Sequence, residues 1–71
     1  MRYKVYYYDS WLDSFEGNLS FDTLHDAVAF VEKEFLSSTD TDITAVYISW
    51  FECGVECEKH YILRDTGWEV A

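Results

Sequence analysis

Apolar and polar positions change rhythm several times along the chain, and each change predicts an element. Residues 2–8 (RYKVYYY) combine valine with tyrosines and stop at Asp9-Ser10, which reads as a β-strand. Residues 15–21 (FEGNLSF) form a weaker second strand. It would pair with the first as a hairpin across residues 9–14, with Gly17 marking a bulge or bend. Leu24, Ala27, Val28, Val31 and Phe35 then recur at three- and four-residue spacing, the period of one helix face. Asp22 or Thr23 caps this helix, and Thr23-x-x-Asp26 is a shortened capping box. Asp22 and Asp26 also lie favourably near the positive end of the helix dipole. Ser37, Ser38, Thr39 and Asp40 end the helix. Residues 43–51 (ITAVYISWF) are the most strand-like segment of all, and residues 58–64 (EKHYILR) read as their hairpin partner across a tight connection containing Gly54. The tail, residues 67–71, carries Trp68 and Val70 and is expected to fold back over the core.

The expected order is ββαββ, with βαββ as the alternative if the weak second strand does not form. Either is an α+β domain spanning residues 1–71: one helix packed on one face of a three- to four-stranded antiparallel sheet. A single helix leaves the other face of the sheet without a layer. Alternation puts Tyr3, Val5 and Tyr7 on one side of the first strand and Lys4, Tyr6 and Tyr8 on the other. In the third segment Val46, Ile48 and Trp50 share one side, and Ala45, Tyr47 and Phe51 the other. Both faces therefore carry large apolar groups. Either Trp11 and the Trp68 tail fold across the second face, or part of it stays open as a contact patch.

Size and cysteine usage narrow the setting. A chain of 71 residues buries about 60% of its unfolded surface, so its stability margin is thin. Two cysteines exclude a disulfide framework and point to a reducing compartment, the cytoplasm. After Arg2 and Lys4 the apolar run breaks at Asp9, too early for a secretory segment, and the run at residues 27–31 is far too short to span a bilayer. Hydrophobic residues at 49% and aromatic residues at 20% exclude a disordered chain.

Charge carries the strongest functional signal. Fourteen acidic against five basic residues give a net charge of −9. That argues against direct binding to nucleic acid or to an anionic membrane, both of which need Lys and Arg. No Lys or Arg interrupts the stretch between Lys4 and Lys33, which holds Asp9, Asp13, Glu16, Asp22, Asp26 and Glu32. The stretch between Lys33 and Lys59 is equally free of them and holds Glu34, Asp40, Asp42, Glu52, Glu56 and Glu58. Averaged over the surface, the excess is about one charge per ~500 Å², against roughly one per 100 Å² on duplex DNA. Imitation of a phosphate backbone would require the carboxylates to gather on one side. The connection at residues 9–16 and the helix start at Asp22 and Asp26 are expected to form such a joint patch at one end. Solubility is the competing explanation of the charge.

Candidate chemistry is sparse. Cys53, Cys57 and His60 spell C-x3-C-x2-H, a tolerable zinc spacing that lacks a fourth ligand unless His25 or a carboxylate supplies it. The same cysteines flank the expected turn and allow a cross-strand disulfide, subject to its spacing limit. A nucleophilic cysteine needs an electropositive setting, whereas Glu52, Glu56 and Glu58 surround both thiols. Asp40 and Asp42 precede no loop glycine, which excludes an EF-hand. Gly17, Gly54 and Gly67 are isolated, so no phosphate loop exists. Neither a metal, a cofactor nor an enzymatic activity is expected.

In overall character the acidic stretches and the tyrosines Tyr3, Tyr6, Tyr7 and Tyr8 resemble the small proteins that phages and mobile elements use against host machinery. Anti-CRISPR proteins, antirestriction proteins and phage inhibitors of host RNA polymerase make up that group. The resemblance covers the whole chain without a shared motif. It implies stoichiometric inhibition in the host cytoplasm, with carboxylates occupying Lys and Arg groups that otherwise hold nucleic acid. The residues expected to meet such a partner are Asp9, Trp11, Asp13, Glu16, Asp22, Asp26, Tyr6 and Tyr8. The alternative is an assembly module that homodimerises, or extends a partner's sheet, through its aromatic face.

Overall fold

A computed structural model describes residues 2–37 and 42–71. Strands β1 (Tyr3–Asp9) and β2 (Ser14–Phe21) form the first hairpin, and helix α1 (Leu24–Val31) follows. After it come β3 (Ile43–Glu52), β4 (Val55–Arg64) and β5 (Gly67–Val70). All five strands pair antiparallel in the order β2-β1-β3-β4-β5. The sheet therefore has one strand more than the sequence predicts. The tail continues the sheet as β5, with Trp68 opposite Leu63, and Trp68 packs against the core from there, as expected, without crossing the second face. β2 does form, which removes the βαββ alternative. Its sequence signal is weak because it is an edge strand with exposed Asn18 and Ser20.

Local chemistry explains the turns. The β1–β2 register jumps between Val5 and Tyr7, a bulge that takes in Gly17. Gly17 has φ +89°, and a Cβ there would lie 3.0 Å from Tyr7 Cε1. Cys53 and Gly54 join β3 to β4 with φ of 52° and 77°. Two positive φ values in a two-residue loop suit the right-handed twist of the flanking strands. Thr23 caps α1, its Oγ1 accepting from the Asp26 amide at 3.1 Å. The helix continues beyond Val31 through a π-helical turn, Glu32–Leu36. Of the residues expected to end it, Ser37 follows that turn, while Ser38, Thr39 and Asp40 lie outside the described residues.

The core lies between α1 and one face of the sheet. Val5, Ala27, Val31, Val46, Ile48 and Tyr61 are buried there, and Tyr3, Tyr7, Phe35, Trp50 and Trp68 pack around them. Ala27 contributes no side chain beyond Cβ, which suits a helix seated close on the sheet. Trp68 thus belongs to the helix side, and Trp11 is 81% exposed. Among the described residues no element covers the opposite face, so of the two expectations for it, the one in which part of it stays open holds. No described helix is long and apolar enough to cross a membrane.

Candidate protein-docking surface

The uncovered face carries a row of rings across four strands. Lys4, Tyr6 and Tyr8 point to it from β1, and the register places Tyr47 beside Tyr6 and His60 beside Tyr47. Phe15, on β2 opposite Tyr8, extends the row to the sheet edge. Ring centroids of Phe15 and Tyr8 are 5.3 Å apart, edge to face. Tyr6 stacks on Tyr47 at 5.0 Å, and Tyr47 on His60 at 4.1 Å. These spacings are those at which rings attract beyond simple area burial. His60 Nε2 is buried by this stacking without a hydrogen-bond partner among the described residues. Phe15 stays 60% exposed. The row is therefore packed within itself and open to solvent on its outer side.

The turn at residues 10–13 is built more firmly than its length suggests. Asp9 Oδ1 accepts from the Trp11 amide at 2.9 Å and from the Leu12 amide at 3.3 Å. Ser10 donates twice to the Asp42 carbonyl, from its amide and from its hydroxyl, both at 2.7 Å. Asp13 takes a left-handed backbone with φ 52° and accepts a hydrogen bond from the Tyr8 hydroxyl. That bond and burial hold the Tyr8 phenol above its usual range. These ties fix the backbone while turning Trp11 and Leu12 outward, 81% and 57% exposed. An ordered Trp at a tip loses little conformational freedom on binding, which is the situation that makes Trp a strong interface anchor.

The structure brings together part of the expected site and divides the rest. Asp9, Trp11 and Asp13 share the turn, and Tyr6 and Tyr8 lead away from it along the open face. Glu16 stands near the start of β2 and accepts from the Ser14 hydroxyl at 2.9 Å. Asp22 and Asp26 lie elsewhere. They follow the far end of β2, whose eight residues put on the order of 20 Å between the two groups at ~3.3 Å per residue. There Asp22 pairs loosely with Arg2 at 3.6 Å, and Asp26 serves the first turn of α1. The joint acidic patch does not exist, because β2 is a full strand that carries the helix start to the opposite end.

Phe15, Tyr47, His60 and Leu12 belong to this candidate surface but are absent from the residues that the sequence singles out. Alternation does assign Tyr47 to the open face, but the row appears only once the strand order is known. The possible metal or redox group separates. Cys57 is the register partner of Trp50 on the helix side, whereas His60 partners Tyr47 on the open side. Both thiols are free. The Cys57 thiol is raised above its ordinary pKa first by burial and then by Glu52, opposite to what a nucleophile needs. Among the described residues no three His, Cys, Asp or Glu side chains come together as metal ligands. Compared with family models, with characterised proteins and with solved structures, the chain matches none.

Proposed function

We propose that this chain is a non-enzymatic protein-binding inhibitor that docks on the basic, nucleic-acid-binding surface of a host complex. The observation that carries the reading is the tied turn, which presents exposed Trp11 between the carboxylates of Asp9 and Asp13. An apolar anchor flanked by negative groups suits a partner pocket rimmed by Lys or Arg. The open face with Phe15, Tyr8, Tyr6 and Tyr47 continues from the anchor and supplies apolar area. With Asp22 and Asp26 at the other end, imitation of a phosphate backbone over the whole domain loses its support. The electrostatic part of the reading rests on the turn end and on the net charge of −9.

Homodimerisation through the same face is disfavoured by charge, since two copies would each bring −9. A purified candidate complex tests the reading through its salt dependence and its competition with nucleic acid. Affinity should fall steeply as salt rises, and the partner's own nucleic acid should displace the protein. Affinity indifferent to salt, or a tight homodimer that hides Trp11, contradicts it.

A further inference from the structure

At the end of the open face away from Trp11 lies a depression of about 200 Å³ lined by Arg2, Lys4, Ser20, Ser49, Trp50 and Phe51. Its floor is a rung across three strands, because Lys4 is the register partner of both Ser20 on β2 and Ser49 on β3. Such neighbours hold their Cβ atoms roughly 5 Å apart on one face. Arg2 lies two residues from Lys4 and Phe51 two from Ser49, so alternation returns both to that face. In a chain with only five basic residues, two of them line one small cavity. Lys4 makes no ion pair among the described residues, and Arg2 makes only the loose, exposed one to Asp22. Neither serine hydroxyl bonds to another described residue. Two carboxylates of β4 stand on the same face beside the depression: Glu58, opposite Ser49, accepts from the Tyr6 hydroxyl, and Glu56 is opposite Phe51.

We infer that this cavity binds a small molecule carrying a phosphate monoester on an aromatic or apolar stem. Arg2, Lys4, Ser20 and Ser49 line one cavity, a set of N–H and O–H donors that suits the three outer oxygens of a phosphate better than a planar carboxylate. The 62% exposed ring of Phe51 gives the stem a wall. The volume is below the ~300–1,000 Å³ of sites for larger ligands, which limits the stem to about one ring. This site does not depend on the docking reading, since it uses none of Asp9, Trp11 or Asp13.

Titration of the full chain with phenyl phosphate, followed by amide chemical shifts, tests the assignment. The shifts should saturate and centre on Ser20, Ser49 and Phe51. Inorganic phosphate should bind at the same amides but at least tenfold more weakly, and benzoate at least tenfold more weakly as well. Lys4→Gln should weaken phenyl phosphate at least tenfold. Lys33→Gln, which removes the same charge from the helix, should leave it within twofold. No saturable shift, equal losses in the two variants, or benzoate binding as well as phenyl phosphate would overturn the inference.

Discussion

The Tyr6 hydroxyl reaches over β3 and donates to Glu58 Oε2 on β4 at 2.9 Å. Tyr47 lies between them, with Tyr6 stacked on its ring, so the bond joins three strands across the open face. Burial and then this bond to a carboxylate push the Tyr6 phenol up to about 12. The neutral phenol is thus the form that the fold prefers. By linkage, its contribution is fully present below the ordinary tyrosine value near 10 and is lost as pH rises toward 12. Unfolding free energy measured from pH 9 to 11 should fall more steeply in the wild type than in Tyr6→Phe. Equal slopes would mean that the bond is not made in solution.

Gly17 and Gly54 both have positive φ, but only Gly17 also faces a neighbour that an added Cβ would strike. Gly54→Ala should show the cost of the left-handed backbone alone, about 1 kcal/mol. Gly17→Ala should cost more, because the Tyr7 ring is held against Phe35 at 5.1 Å. Chemical denaturation of the two variants decides the order.

Core and tip should separate stability from recognition. Ile48 is fully buried beneath α1, and Ile48→Ala should cost about 2–5 kcal/mol, enough to unfold much of so small a domain. Trp11→Ala, at a side chain 81% exposed, should change stability by less than about 0.5 kcal/mol. Thermal melts of both variants check the contrast.

The turn itself is open to a sharper test. Asp9→Ala removes the acceptor for two backbone amides but leaves Trp11 in place. Partner affinity should fall at least several-fold while the melting temperature moves by only a few degrees. An unchanged affinity would mean that the fixed geometry of the tip is unimportant.

Much of this architecture is legible in the sequence, and the remainder has identifiable causes. The spacing from Leu24 to Phe35 marks the helix, and alternation in RYKVYYY and ITAVYISWF assigns side chains to the correct faces. β5 escapes because Gly67–Val70 is too short for alternation to register. The Phe15–Tyr47–His60 row escapes because it needs β3 beside β1, a pairing made only after the helical crossover. The separation of Asp9 and Asp13 from Asp22 and Asp26 depends on β2 running its full length. The weak signal of its polar edge conceals that.

The most direct measurement is a photo-crosslinking scan in the cells that make the protein, with the reactive group placed in turn at Trp11, Phe15, Tyr47, Ala29 and Lys33. Trp11 and Phe15, with Tyr47 to a lesser degree, should capture one and the same basic nucleic-acid-binding protein, while Ala29 and Lys33 on the helix should capture none. Capture from the helix positions with silence at Trp11 and Phe15 would contradict the docking reading.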